Sequence, residues 1–431
     1  MKNKIKIDIL LSLVVLQLLA CKTQKQDTQI TLTNTSNIVL TGKPVAIKKN
    51  QFLNEITSNT FPLLLIETDT IPSQLNDLDG DGNWDELFFV TNFSANETKN
   101  IQLKWIDTKP NYEIKTSVRF GKRASKNSPV KPANEDVLLA NEVFKALGYQ
   151  RYQTDGPTWE NDKVGFRHYL DGRNAKDVFA KKTPKITPEN VGIDNEGAVE
   201  DNYHVMHDWG RDVFPVGSSV GLGGFAILVN NKVERLGITT NDTLNNIEKT
   251  TFKIEAEGPV NSILSYKYQN WNASGNTYQA QETTSIWPGI YGYKNTVSLD
   301  GLKGDEMLLI GLSNINNQKP LNVVEAGNFV CLIQHDALTY ERQWIMGTAI
   351  IIPKSNYNGY MEAPQTGQVT NSFLAKFKVK NNETISYYAI AACELSVDKN
   401  FKDSAFFNNY VINLANQLST EIDIEIKNEA K

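Results

Sequence analysis

Along most of the chain, apolar and polar residues alternate one by one in short runs. The runs at 30–33, 63–66, 87–90, 101–105 and 114–119 are followed by others at 233–238, 251–255, 260–268, 278–286, 295–299, 307–312 and 349–352. Clusters of Asn, Asp, Gly and Lys separate them. A period of two sends successive side chains to opposite faces, so these runs predict strands. Their closeness in sequence predicts antiparallel pairing with one face toward solvent. Helix-period segments are few: one at 135–147, and one at 404–418 where Phe407, Tyr410, Val411 and Leu414 recur. The chain closes on alternation again at Ile422, Ile424 and Ile426, and no internal repeat is present. The pattern predicts a mainly β protein, a large antiparallel β-sandwich with few helices; a mutarotase-like supersandwich is one form of it.

The first residues break this pattern. Lys2, Lys4 and Lys6 precede an apolar run at 9–20 that ends Leu18-Leu19-Ala20-Cys21. The run is shorter than the ~20 residues that cross a bilayer, so it reads as a cleaved signal peptide, residues 1–20. The Leu-x-Ala-Cys ending resembles a lipobox, which makes Cys21 the lipidated residue. Acyl chains there, at ~0.8 kcal/mol per buried methylene, give an outer-membrane lipoprotein. The residues after Cys21 carry no acidic cluster, which favours the periplasmic face. Residues 21–36, polar and nearly free of aromatics, read as a flexible tether.

What remains is long enough for one large catalytic domain over 37–431, with a smaller N-terminal β subdomain at 37–125 as a variant of that plan. A hydrophobic fraction of 40% with 10% aromatics suits a globular core. The net charge is −5 and no basic block stands out, which argues against a nucleic-acid partner. Beyond Cys21 only Cys331 and Cys393 remain, both in apolar surroundings. They read as buried free thiols, with a mutual disulfide as the alternative.

Four segments can carry chemistry. In the first, Asp77, Asp79, Asp81 and Asp85 alternate with Gly80 and Gly82, as hard oxygen ligands around Ca²⁺ would. Position twelve of that loop is Phe88 and not Glu, so an ion-free Asp/Gly turn reads equally well. The second gathers Trp159, Glu160, Lys163, Arg167, His168 and Tyr169. An aromatic platform beside Arg and Lys suits an anionic sugar, whose carboxylate a guanidinium grips in bidentate fashion; a strand with a structural His is the alternative. The third contains Tyr203, His204, His207, Asp208, Trp209, Arg211 and Asp212. Histidine is suited to moving protons near neutral pH, and His-x-x-His with an Asp is a weaker pointer to Zn²⁺. The Gly217–Gly224 stretch lacks a P-loop Lys and reads as close-packed backbone. The fourth set is aromatic: Trp271, Trp287, Tyr291, Tyr293, and His335 with Tyr340, Arg342 and Trp344. These either line a saccharide cleft or fill the core.

The block Asp77-x-Asp-Gly-Asp-Gly-x-x-Asp-Glu-Leu87, the Trp159-Glu160…Phe166-Arg167-x-Tyr169 block and the His204…Asp208-Trp209-Gly210 block stand in this order in a lipoprotein family. The chain resembles that family, encoded among polysaccharide-utilisation genes of marine bacteria and including the ulvan oligosaccharide dehydratase, over roughly residues 36–420. The resemblance implies a carbon–oxygen lyase acting on a non-reducing-end glucuronic or iduronic acid linked to rhamnose 3-sulfate. The product would be a 4,5-unsaturated uronosyl end. The chemistry needs a cation at the carboxylate, a base for H5 and an acid for the leaving hydroxyl. From residue type, Arg167 is expected as the clamp, His204 or His207 as the base and Tyr169 as the acid. Trp159, Glu160, Lys163, Trp209, Arg211, Trp287, Tyr291 and Arg342 are expected to contact the substrate. No cofactor is expected beyond a structural Ca²⁺. A glycoside hydrolase using Glu160 and Asp208, or a non-catalytic glycan binder, are the rival readings.

Overall fold

Strand Ser262–Ala273 shows how the alternation becomes architecture: Leu264, Tyr266 and Tyr268 are buried, while Lys267 and Gln269 face out. It lies within an antiparallel sheet of nine strands. In spatial order these are Glu135–Leu139, Ile247–Glu257, Ser262–Ala273, Asn276–Ile286, Gly292–Asp300, Thr384–Cys393, Met346–Pro353, Phe329–Asp336 and Asn322–Ala326. The computed structural model describes residues 28–52 and 60–428.

Two five-stranded sheets cover the inner face of this central sheet. One, here the site sheet, runs Gly210–Asp212, Lys176–Lys181, Val164–His168, Thr158–Asn161 and Thr116–Arg119. The other contains Leu222–Val229 and Met307–Ser313 at its centre. Trp159 and Phe166 of the site sheet meet Tyr293 of the central sheet edge-on, with ring centroids 5.2 and 4.7 Å apart. Burying each such ring contributes about 1.5–3 kcal/mol. Strands of the site sheet are buried on both faces, so their sequences lose the simple alternation. Close backbone packing sets the glycines here. A Cβ at Gly221 would lie 1.8 Å from the carbonyl oxygen of Lys176, and one at Gly210 1.8 Å from that of Ala180.

A separate pair of sheets forms from both ends of the chain. Five strands, Asp423–Asn428, Thr28–Thr33, Thr98–Ile106, Phe61–Ile66 and Asp69–Ile71, face three, Leu40–Lys48, Glu86–Phe93 and Ser73–Asn76. Ile30, Leu32, Val45, Ile47, Leu87, Phe89 and Leu103 fill the space between them.

Two expectations are corrected. The tether does not extend to residue 36: Thr28–Thr33 pairs on both sides, with strands Asp423–Asn428 and Thr98–Ile106, because Ile30 and Leu32 bury completely between them. Cys21 and the preceding signal segment lie outside the described residues. The helix expected at 135–147 is reduced to Phe144–Leu147. Glu135–Leu139 is an edge strand in which Asp136 points inward, holding Lys122, Arg151 and the Tyr152 hydroxyl. By contrast, the second helix is present as Ser404–Ser419, capped by the Asp403 side chain, and its Phe407, Val411 and Leu414 are buried. Cys331 and Cys393 are buried free thiols, and burial pushes that of Cys331 up to about 12.

Candidate active site

The site begins with strand pairing. Antiparallel register sets Arg167 opposite Asp177, and Phe179 opposite Asp212. The three strands therefore bring one guanidinium and two carboxylates to a single face. Arg167 Nε donates to Asp177 Oδ1 at 3.1 Å, and its Nη2 donates to Asp212 Oδ2 at 2.8 Å and to the Tyr169 hydroxyl at 2.5 Å. Nη2 also reaches Asp177 Oδ2, to which the Tyr169 hydroxyl donates at 2.9 Å. Tyr169, Phe179 and Tyr203 rings surround the guanidinium at 4.3, 5.3 and 5.0 Å. On the other side of Tyr169 lies Arg173, 3.8 Å from its ring and paired with Asp171 at 2.6 Å. Arg167 Nη1 donates to the carbonyl of Thr154, which with Asp155 takes the left-handed backbone region. Such backbone in non-glycine residues persists where surrounding contacts over-determine it.

His204 is where this buried cluster meets solvent. Its side chain is 42% exposed, and its Nδ1 lies 3.6 Å from Asp212 Oδ2. The short turn Asn202–His204 presents it, with the Tyr203 ring 4.7 Å away and the Tyr340 ring edge-on at 5.9 Å. Tyr340 is fixed beside Asp212 because its N–H donates to the Val213 carbonyl at 3.0 Å. Next to Asp212 in sequence, Arg211 stacks over Trp344 at 5.2 Å. Its Nε donates to the Asp212 carbonyl, and the terminal guanidinium nitrogens have no hydrogen bond or ion pair among the described residues.

The electrostatics follow from this layering. Burial, and then the charge of Asp177, push the Asp212 carboxyl well above the usual carboxylate range; Arg167 opposes them. Burial and then the Arg167 charge lower the His204 imidazole below its ordinary 6.5, and Arg211 adds to this. His204 is thus neutral at neutral pH. With Nδ1 toward Asp212, its Nε2 is free to accept a proton. Burial pushes the Tyr340 phenol above its ordinary range, so it keeps its proton.

The expected roles redistribute accordingly. Arg167, 1% exposed and saturated by Asp177, Asp212 and Tyr169, has no free edge for a substrate carboxylate; Arg211 does. Tyr169 is buried with its hydroxyl bound to Asp177, so the accessible phenol is Tyr340. His207 stacks parallel to Trp209 at 5.9 Å and donates through Nε2 to the Asn202 carbonyl at 2.7 Å. It braces the loop that presents His204, and the two histidines join no metal-holding group among the described residues. Trp209, largely buried, braces the same loop against Phe179.

The other residues expected at the substrate lie elsewhere. Trp159 is wholly buried in the core. Glu160 is bound by Lys181 and by the Thr187 hydroxyl and N–H, which leaves no hydrolase pair with Asp208. Lys163 occupies the hairpin turn before Val164, pairing with Asp162 at 3.5 Å. Tyr291 is buried against Phe401 and Tyr410. Arg342 is engaged by Asp336 and the Asn316 carbonyl. Trp287 lines a different cleft, described below.

In the acidic loop, Asp77, Asp79 and Asp85 each offer a carboxylate oxygen, all within 4.8 Å of one another. Asp81 does not join this group; its carboxylate accepts the Asn83 N–H at 2.7 Å. Three hard oxygens at this spacing fit Ca²⁺ better than a softer metal.

Asp177 and Tyr340 carry no motif that marks them. The signal for Asp177 is a charged residue in a strand buried on both faces, Lys176–Lys181, which requires an opposite charge across the sheet.

Stacked antiparallel sheets define the class: a mainly β protein, in which a half-exposed histidine lies against a buried aspartate. The chain belongs to the family described as a domain of unknown function, DUF4861, whose profile matches residues 32–424. It is 25% identical over 374 residues to "Uncharacterized protein P7" of Formosa agariphila, covering 83% of this chain and 82% of that protein. Among solved structures it is similar to an alpha-mannosidase from Enterococcus faecalis V583, with a TM-score of 0.46, 10% identity and coverage of 93% of this chain and 46% of that one. A glycosyl hydrolase family 38 protein from Enterococcus faecalis gives the same TM-score and identity, with 93% and 47% covered. The chain spans about half the length of these two solved proteins.

Proposed function

We propose that this protein is an oligosaccharide dehydratase acting on a non-reducing-end uronic acid. The observation that carries the reading is the half-exposed, neutral His204 between buried Asp212 and the open guanidinium edge of Arg211. The resemblance in the 77–87, 159–169 and 204–210 blocks supports the substrate: glucuronic or iduronic acid linked to rhamnose 3-sulfate. Arg211 binds the uronate carboxylate and stabilises the charge that grows on it as the C5–H bond breaks. His204 Nε2 takes H5, and Asp212 stabilises the imidazolium that forms. The electron pair becomes the C4=C5 double bond, the C4–O4 bond breaks, and the hydroxyl leaves as water with a proton from Tyr340. Arg167, Asp177 and Tyr169 position Asp212.

In this reading the protein works as a membrane-anchored lipoprotein through Cys21, and Asp77, Asp79 and Asp85 are the residues that would hold a structural Ca²⁺. The test is to incubate the purified chain with saturated uronate-terminated oligosaccharides, recording far-ultraviolet enol-ether absorbance and product mass. Rising absorbance with loss of one water at constant chain length is expected, abolished in His204→Ala. Shortened products would replace the reading by a hydrolase, and an intact substrate would replace it by a binder.

A further inference from the structure

A cleft of about 840 Å³ lies away from His204. It lies between strands Leu40–Lys48 and Glu86–Phe93 of the terminal sheets and the outer face of the central sheet. Two packed sheets normally interdigitate apolar side chains across about 10 Å. Here the outward positions of three adjacent central strands are polar instead: Ser265, Lys267, Gln281, Thr283, Lys294 and Thr296. Lys267, Gln281, Thr283 and Lys294 have no side-chain hydrogen bond or ion pair among the described residues. At one end, Trp287 and Tyr388 form an aromatic wall, their rings edge-to-face at 6.3 Å. The Trp287 ring is 3% exposed, and its Nε1 is buried without an acceptor. A buried donor without a partner requires an explanation, and a ligand acceptor supplies one. Lys253, Lys267 and Lys294 stand against Asp79, Glu86 and Glu255, Lys253 and Glu255 pairing at 2.6 Å, and the fourth lining carboxylate, Glu282, is paired with Lys176 at 2.6 Å. Mixed donors and acceptors without net charge, beside an aromatic wall, match sugar hydroxyls and C–H faces more closely than a polyanion.

We propose that this cleft is a second saccharide site, separate from His204, which holds an uncharged stretch of oligosaccharide with a hydroxyl accepting from Trp287 Nε1. The volume falls within the range of sites for small organic ligands. The site does not depend on the dehydratase reading.

The experiment uses the full chain labelled with 5-fluorotryptophan, the Trp287 resonance being assigned by Trp287→Phe. Neutral tetrasaccharides (β-1,4-glucan, β-1,3-glucan, β-1,4-mannan and α-1,4-glucan) and a uronate tetramer are titrated to millimolar concentrations. At least one neutral chain is expected to shift the Trp287 signal, equally in His204→Ala, with affinity reduced about tenfold in Thr283→Val/Gln281→Leu. The absence of a shift with every neutral chain, or a shift only with the uronate, overturns the proposal. Loss of the shift in His204→Ala overturns the separateness of the site. Turnover on uronate-terminated substrate is measured alongside, so failure of the dehydratase reading is seen independently.

Discussion

Two groups of aspartates in this protein behave in opposite ways. Asp77, Asp79 and Asp85 are near neighbours in sequence and lie in an exposed loop, their oxygens spent on backbone N–H groups such as those of Gly80, Gly82 and Leu78. Asp177 and Asp212 are far apart in sequence, fully buried, and share one guanidinium, so burial and the Asp177 charge push the Asp212 carboxyl well above the usual carboxylate range. The loop can be read from its spacing, and its carboxylates lie at the surface. The buried pair is invisible to spacing, yet the packing of the site sheet and the state of His204 both depend on it. Density of charge in a sequence is therefore a poor guide to where charge acts; desolvation decides it.

Breaking the buried group should have the largest effect. Arg167→Met leaves two carboxylates without a cation and is expected to cost about 3–5 kcal/mol, read from the urea midpoint. Adding Asp212→Asn to that variant should recover part of the loss, since the two residues share one interaction. Next comes His204→Ala, expected to lower turnover ~10²–10⁴-fold with the urea midpoint unchanged, because the ring is half-exposed and spans no core. A smaller effect sharpens the link between the two regions of the site. His204 works as a base when neutral, and burial, then the neighbouring cations, lower its pKa, so the acid limb of kcat/KM should lie below 6.5. Arg211→Met removes a cation, and a cation disfavours imidazolium, so that limb should move up in pH. The smallest effect belongs to the exposed loop. Millimolar Ca²⁺ should raise the melting temperature by a few degrees, and Asp79→Asn should remove that rise without changing the calcium-free value.

Central-sheet strands such as Ser262–Ala273 and Asn276–Ile286 were legible because they keep one face open, as Lys267 and Gln269 do beside Tyr266 and Tyr268, whereas Phe329–Asp336 and Met346–Pro353 are buried on both faces. The site sheet was less so: its strands are buried on both sides, and Arg167 in Val-Gly-Phe-Arg-His has the composition of a binding residue and the surroundings of a core one. Segment 135–147 misled because Val137, Ala140, Phe144 and Leu147 recur at helical spacing; pairing of Glu135–Leu139 with Ile247–Glu257 decided it. His204 was legible by type, whereas its separation from His207 was not, since only the turn at Asn202 and the stacking on Trp209 distinguish the two rings. Arg211 emerges as the clamp only once Arg167 is seen to be occupied.

The pairing of Thr28–Thr33 between two antiparallel neighbours also has a mechanical meaning. Six residue pairs on one side and six on the other lie along the same direction as the strand. A pull applied from the N-terminal side therefore loads both ladders in shear, all rungs at once, and does not peel them open one at a time. One of the two supporting strands, Asp423–Asn428, is distant in sequence, so tension entering at Thr28 is shared with it. Under the proposed attachment through Cys21, such a load would meet strand Thr28–Thr33 in the shear direction, in which a sheet resists force best.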